Sequence, residues 1–293
     1  MFHHNNREIA KLKGIDLNGK VVIITGASDG IGKELAKYIS SYNPKRLILP
    51  IRNRTKGQAT LEYIKEKNGV NNAELWDLDL ADLDSVRSFA KQVVNEIGQV
   101  HILINNAGVA LYDLLYTKDG LETHFQVNYL GHFLLTKTLL DTLKESGTKE
   151  FPARVINLSS FESFNGVIDY ENIDGKKSNK TLELYRNSKL MNHMFSNELN
   201  KHVVSLAMCP GFIATTIGDF PGLLGKWKNF VFSNFGASTE TASYNVLKPS
   251  LLDDVQQNAG KFFRNGKMAK GNPLTNDEKL RTEFWEYSER TLT

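Results

Sequence analysis

Cysteine is almost absent: the 293 residues include one, Cys209. A single thiol makes no internal disulfide and no cysteine-based zinc site, so the fold is not stapled and does not require an oxidising compartment. Long apolar runs are missing as well. No stretch approaches the ~20 residues that a membrane-spanning helix needs. The opening MFHHNNREIAKLKG has no apolar h-region, so no secretory signal is expected. Nor does one sign of charge dominate. The chain carries 36 Lys and Arg against 33 Asp and Glu, a net +3 with the signs interspersed, and no nucleic-acid partner is expected. His3 and His4 lack partner ligands, so no metal is expected. Repeats and low-complexity linkers are lacking too.

What is present is globular. Apolar residues are 41% and charged residues 24% of the chain, an ordinary composition for a protein long enough to bury its own core. Short apolar runs at Val21–Ile24, Arg46–Pro50, Glu74–Trp76, Val100–Ile104, Arg154–Leu158 and Val203–Met208 read as buried strands. Amphipathic stretches lie between them. In 82–97, Leu83, Val86, Phe89, Ala90, Val93 and Ile97 recur at three- and four-residue steps. Segment 119–145 predicts one long helix or two abutting ones, and 183–201 a further helix. Regular alternation implies right-handed crossovers and an α/β fold with a doubly wound parallel sheet. A single domain over 18–293 is expected, after an N-terminal extension at 1–17. Residues 165–182 read as a surface insertion, and 212–236, which mix glycine, aromatics and lysine, as a candidate lid.

Directly after the first strand comes Thr25-Gly26-Ala27-Ser28-Asp29-Gly30-Ile31-Gly32. Glycines there let backbone approach a diphosphate, and the N-terminus of the following helix offers free N–H groups to it. The spacing is GxxxGxG, not GxGxxG. TGxxxGIG resembles the cofactor motif of the short-chain dehydrogenases/reductases, and the family's other motifs follow in order: Asn105-Asn106-Ala107-Gly108, Asn128, Ser159-Ser160, the YxxxK of Tyr185 to Lys189, and Cys209-Pro210-Gly211 with Thr215. The resemblance runs from about residue 18 to 265, and implies a Rossmann fold. RNRTKGQATLEYI, LDLADLDSVRSFA, NYLGHFLLTKTLL and AGKFF are similar to the retinol dehydrogenase-like branch.

Carbonyl reduction needs a hydride donor and a proton donor at the carbonyl oxygen. Tyrosine, with a reference pKa of about 10, needs help from a nearby cation. Tyr185 and Lys189, four apart, share a helix face. The resemblance implies that Tyr185 is the general acid/base, that Lys189 lowers its pKa and binds the nicotinamide ribose, and that Ser160 hydrogen-bonds the substrate oxygen. It implies that Asn128 holds a water that passes protons through Lys189, and that Ser159 is structural. The hydroxyls of Ser160 and Tyr185 meet only if the insertion between them folds away.

The resemblance further implies cofactor contacts from Gly26, Ser28, Asp29, Gly30, Ile31 and Gly32. Asp79 and Leu80, in preference to Asp77, would meet the adenine. Asn106, Ala107 and Gly108 would line the adenosine side, and Pro210, Gly211, Ile213 and Thr215 would surround the carboxamide. Asn105 and Pro210 suit a turn-fixing role equally well. The second strand ends in Ile51-Arg52-Asn53, where an arginine pairs with the 2′-phosphate of NADP and a carboxylate would take the free diol of NAD. NADP(H) is therefore expected over NAD(H), with Asn53 adding a hydrogen bond, against the charge of Asp29.

Candidate substrate-lining residues are Val109, Leu111, Tyr112, Phe161, Glu162, Phe164, Phe212 and segment 217–236, mostly apolar. They suit a lipophilic aldehyde, ketone or alcohol, retinoid- or steroid-like by branch resemblance. Phe161 and Phe164 suit core packing equally well. Two other readings stay open: a cofactor-sensing protein without turnover, and a double-bond reductase on the same site. Trp227, Phe230, Val231 and Phe232 would form a buried lid or rest on a membrane or lipid-droplet surface, so a cytoplasmic or peripheral location is expected. The resemblance also implies a homo-oligomer joined through helices of the fourth and fifth β-α units.

Overall fold

Val21–Ile24 (β1) is apolar and buried at every residue, as a strand covered on both faces requires. Its side chains alternate between two cores. Ile23 joins a cluster on one face, with Leu103 and Val155, while Val22 and Ile24 join another, with Leu47, Leu49, Ile102 and Ile156. The computed structural model describes residue 12 and residues 14–211, 237–251 and 255–293. Around β1 an eight-stranded sheet is built in the order β3-β2-β1-β4-β5-β6-β7-β8. Its other strands are β2 (Arg46–Ile51), β3 (Ala73–Asp77), β4 (Ile102–Asn105), β5 (Arg154–Leu158), β6 (Val204–Cys209), β7 (Phe262–Arg264) and β8 (Lys267–Ala269). All neighbours pair in parallel except β7 with β8. The expected strands are all present, shifted by no more than two residues at an end. The β7–β8 hairpin was not anticipated. Its signal is Asn265-Gly266, both at positive φ, the turn chemistry of a two-residue hairpin.

Helices α1 (Gly30–Ser40), α2 (Arg54–Asn68) and α7 (Thr239–Leu251) cover one face. Helices α3 (Leu83–Glu96), α4 (Gly131–Thr138), α6 (Thr181–Leu199) and α8 (Glu278–Thr291) cover the other, with α5 (Leu140–Ser146) following α4. Side-chain oxygens cap four helix N-termini: Asp29 for α1, Asn53 for α2, Asp82 for α3 and Asp277 for α8. The stretch 119–145, expected as one long helix or two abutting ones, is a series of abutting helical segments. His124–Leu130 form a π-helical stretch, in which the Gly131 N–H reaches back to the Gln126 carbonyl, and Leu139 separates α4 from α5. Residues before 18 join the core: Leu17 is buried and the Leu12 N–H donates to the Tyr42 hydroxyl.

Two features bear on the site. The strand order reverses between β1 and β4, which opens a crevice at the carboxyl ends of the strands. The insertion at 165–182 folds outward. Tyr170 packs against Phe284 and Tyr287 of α8, and the Tyr116 hydroxyl donates to the Asp174 carbonyl at 3.0 Å.

One face of α4 and α6 is covered from within the chain. Tyr129, Phe133 and Phe195 pack on Phe284 and Trp285 of α8, with Phe133 to Trp285 at 4.9 Å and Tyr129 to Phe284 at 5.0 Å between centroids. The Tyr129 and Ser288 hydroxyls bond at 2.6 Å, and Lys137 pairs with Glu289. Among the described residues no helix is long and apolar enough to cross a membrane. Phe284→Ala is expected to cost about 3–5 kcal/mol by leaving a cavity in this aromatic cluster. Urea unfolding checks it, and a loss under about 1 kcal/mol would show that α8 is not part of the core.

Candidate active site

The glycine turn is shaped by close approach. Gly26 sits at φ 67°, and a Cβ there would lie 2.7 Å from the Ala107 Cα. A Cβ on Gly32 would strike the Gly26 carbonyl oxygen. The turn and the exit of β4 are therefore pressed together. Asn106 Nδ2 donates to the Thr25 carbonyl at 2.7 Å and the Gly26 carbonyl at 3.2 Å. Thr25 Oγ1 accepts from the N–H groups of Asn106 at 2.9 Å and Ala107 at 3.0 Å. Ser28 is half-buried and Ile31 packs on the core at the start of α1. Asn105 lies deeper, donating to Asn157 Oδ1 at 2.8 Å and Thr136 Oγ1 at 3.0 Å, so it ties β4 to β5 and α4.

At the end of β2, Arg52 is exposed, and among the described residues its guanidinium makes no ion pair or hydrogen bond. Asn53 is committed: its Oδ1 accepts from the Lys56 N–H at 2.9 Å. Asp29 is committed too, accepting from the Gly30 N–H at 2.7 Å and lying 4.0 Å from Lys56 Nζ. Arg54 pairs with Asp77 at 2.6 Å, which turns Asp77 outward. Asp79 closes the turn after β3 through the Ala81 N–H, and Leu80 is buried against Gly131.

Ser160 and Tyr185 are brought within hydrogen-bonding reach despite the insertion between them. Ser160 Oγ also caps the short 3-10 turn Phe161–Asn165. An ion pair of Arg186 with Glu162 at 2.6 Å holds that turn to α6. Ser159 is buried and donates to the Lys189 carbonyl at 2.7 Å, a structural bond. Lys189 Nζ lies 5.8 Å from the Tyr185 ring centre. It is buried, and among the described residues its hydrogen bond is a 3.3 Å contact to the Leu158 carbonyl. Above it is Gly108, where a Cβ would sit 3.1 Å from Nζ. An ammonium has three donors, so this one is under-satisfied and faces the space that Gly108 leaves.

Burial pulls the Lys189 ammonium down from 10.5 to about 8. Burial also raises the Tyr185 phenol above its usual value, against a hydrogen bond from Ser160 that lowers it. In this structure the largest influence on the Tyr185 phenol is burial. Desolvation of the phenolate outweighs an ammonium that sits beside the ring rather than on the oxygen. Burial likewise pushes up the thiol of Cys209, which lies near both groups.

The Asn128 side chain makes three hydrogen bonds among the described residues. Its Oδ1 accepts from the Val109 N–H at 2.7 Å, and its Nδ2 donates to the Val109 carbonyl at 2.9 Å and Ser188 Oγ at 3.0 Å. It pins the loop after β4 to the catalytic face of α6. Sequence reasoning missed two buried histidines on the same stretch. His124 accepts from the Leu111 N–H at 2.8 Å, pairs with buried Glu122 at 2.7 Å and meets the Tyr185 ring edge-on at 6.0 Å. His132 bonds Thr25 Oγ1 at 2.9 Å. Their signal was the four-residue spacing of His124, Asn128 and His132.

Val109 and Leu111 stand beside this centre, and Tyr112 and Phe161 are exposed at its rim. Phe164 turns inward onto Phe262. Pro210 is buried, with its carbonyl accepting from Asn245. Gly211, at φ 114°, has no room for a Cβ because Asn265 occupies it. Phe212, Ile213, Thr215 and the candidate lid at 212–236 lie outside the described residues.

The chain is similar to known proteins. The sequence model of the family described as short chain dehydrogenase matches residues 20–220. The chain is 37% identical over 280 residues to retinol dehydrogenase 12 of Mus musculus, covering 94% of this chain and 86% of that protein. It is 33% identical to retinol dehydrogenase 11 of Homo sapiens, with the same coverage, and 31% identical to polyprenol dehydrogenase of Danio rerio, covering 92% and 86%. A solved structure of an uncharacterized protein from Mycobacterium paratuberculosis superposes with a TM-score of 0.75 at 25% identity, covering 94% of each chain. The carbonyl reductase Sniffer of D. melanogaster does so at 0.63 and 20%, over 87% of this chain and 99% of that one.

The buried ammonium generates a prediction. The unfolded chain holds the Lys189 proton more tightly than the folded one, so folding carries a cost of about 3 kcal/mol at pH 7. That cost fades as pH rises from about 8 to 10.5, where both states lose the proton. Lys189→Met is expected to be more stable than the parent at pH 7, with the gap closing above pH 10. Denaturant melts at both pH values check this, and a variant no more stable at pH 7 would refute it.

Proposed function

The chain belongs to the short-chain dehydrogenase family, and from that premise we propose that it is an NADP(H)-dependent oxidoreductase of lipophilic carbonyls and alcohols. The nicotinamide dependence and the oxidoreductase class follow from the family. The phosphate preference, the substrate class and the residue roles are our reading. One observation carries it: the convergence of Ser160, Tyr185 and an under-satisfied Lys189 ammonium beside the glycine cradle.

The cradle fits the group. Gly26 and Gly32 leave no Cβ between backbone and a diphosphate, and α1 presents its N-terminus there. Gly30, at φ 53°, completes the turn. When bound, the cofactor supplies or accepts the hydride. The chain's own residues handle the proton and the oxygen. In reduction, Tyr185 delivers its phenolic proton to the carbonyl oxygen, and Ser160 donates to that oxygen as negative charge develops. In oxidation Tyr185 takes the proton back. A phenol held high by burial keeps its proton until transfer, and the Lys189 ammonium stabilises the phenolate that remains. The two free donors of Lys189 suit the ribose hydroxyls. Asn128 positions Val109 and Ser188 about this centre.

Arg52 supports the phosphate preference. It is exposed and unengaged among the described residues, and a guanidinium fork matches a phosphate. The opposing charge of Asp29 is spent capping α1 and lies beside Lys56. The apolar walls of Val109, Leu111 and Phe161, with the retinol and polyprenol dehydrogenases among the relatives, support a lipophilic substrate.

Carbonyl-dependent oxidation of NADPH and NADH, with all-trans-retinal, steroid ketones, aromatic ketones and aliphatic aldehydes, tests the reading. Turnover with NADPH supports it, and equal or better use of NADH would remove the phosphate preference. Tyr185→Phe is expected to lower kcat by about 10²–10⁴-fold while NADPH affinity stays within about twofold. Parental kcat in that variant would take the tyrosine out of the mechanism. Arg52→Asp is expected to weaken NADPH binding by about tenfold or more and leave NADH nearly unchanged. Fluorescence titration of both cofactors reads the ratio.

A further inference from the structure

His132 lies one helical turn beyond Asn128 and is buried, and neither composition nor the proposed chemistry assigns it a task. Its two ring nitrogens both have partners. Nδ1 lies 3.2 Å from the Asn128 backbone carbonyl, and Nε2 lies 2.9 Å from Thr25 Oγ1. A carbonyl only accepts, so Nδ1 carries the proton. Nε2 is then a bare lone pair, and the Thr25 hydroxyl must donate to it. That leaves both lone pairs of Thr25 Oγ1 for the N–H groups of Asn106 and Ala107, at 2.9 and 3.0 Å. The Ile104 carbonyl, at 3.3 Å, is a longer second acceptor for the same hydroxyl hydrogen, and both lone pairs of Oγ1 are used. The opposite tautomer would press three donors onto two lone pairs and set a nitrogen lone pair against a carbonyl. Burial also holds this imidazole down at about 4, so it is neutral at physiological pH.

We propose that His132 is a positioning residue, a fixed neutral tautomer that joins the wall of the cofactor groove to the helix carrying Asn128. Through Thr25 it orients the hydroxyl that holds Asn106 and Ala107 against Gly26, the approach that no Cβ survives. Through the Asn128 carbonyl it ties that wall to the amide that clamps Val109 and Ser188. The groove for the diphosphate and the face bearing Tyr185 and Lys189 are thus held in one register by one ring. The inference rests on the cofactor reading above, and its test separates the two.

The two nitrogens can be tested apart. His132→Asn places an amide near the Nδ1 position and loses Thr25. His132→Gln reaches the Nε2 position and loses the Asn128 carbonyl. NADPH Kd is measured by fluorescence titration without substrate, and kcat at saturating NADPH with all-trans-retinal. His132→Asn and Thr25→Val are each expected to weaken NADPH by about tenfold, the scale of a buried hydrogen bond left with one partner, while His132→Gln stays within about threefold. The double variant Thr25→Val/His132→Asn is expected to be no weaker than Thr25→Val alone, because that substitution already removes the bond that His132→Asn breaks, together with the acceptor of Asn106 and Ala107. His132→Gln is expected to lower kcat more than it weakens NADPH.

If His132→Asn and Thr25→Val both leave the Kd within about twofold, the coupling is refuted. If all variants change Kd and kcat only in proportion to lost binding stoichiometry, the role is structural and the proposal falls. The titration decides even where retinal is not turned over. A parent that binds neither NADPH nor NADH would remove the cofactor reading and this inference together, whereas a parent that binds NADPH with indifferent variants removes the inference alone.

Discussion

A buried ammonium under a missing side chain organises this molecule. Lys189 is held out of water by β5, the loop after β4 and its own helix, with a single long contact to the Leu158 carbonyl among the described residues. A charge in that state is a cost, visible in its depressed proton affinity. The fold tolerates it because Gly108 leaves a space above Nζ that oxygens can enter. Tyr185, Ser160 and Asn128 are arranged about that space. Folding stability is spent where chemistry needs an unsatisfied donor.

The surrounding structure is built to keep the space open. Two polar ladders run beneath and beside it. One passes from Asn105 through Asn157 to Ser205, linking β4, β5 and β6 below the cleft. The other follows the π-helical stretch into α4, where His124, Asn128 and His132 reach the loop at Leu111, the loop at Val109 and the turn at Thr25. Each bonds backbone or a hydroxyl that itself bonds backbone, so loops that would otherwise drift are fixed to a packed helix. Among buried polar groups nearly every donor here has an acceptor, which is what a rigid site requires.

The C-terminal helix serves the same end from outside. It covers the aromatic face of α4 and α6 and receives Tyr170 from the insertion. An insertion that could have lain across the catalytic hydroxyls is drawn away from them onto α8. Phe284 and Trp285 pack on these helices from within the chain, so the site is buttressed from that side.

Much was legible from the amino acids alone, because local chemistry determines it. Successive apolar residues with no polar face required two-sided strands, and alternation with helices required crossovers and the crevice at the strand ends. Gly26, Gly30 and Gly32 declared a close approach, and the four-residue spacing of Tyr185 and Lys189 declared a shared face. Asn265-Gly266 declared a hairpin, though three-residue strands gave too weak a periodicity to notice. Tertiary structure alone decided the rest. Whether burial or a neighbouring cation governs the Tyr185 phenol depends on which atoms exclude water, and that depends on elements far apart in sequence. That Asn128 spends its amide on Val109 while Arg52 stands unengaged and Arg54 is taken by Asp77 is likewise a matter of distance. So is the pairing of His132 with Thr25, 107 residues apart. Sequence spacing reports neighbours on one element, whereas desolvation and hydrogen-bond partnership arise only when separate elements meet.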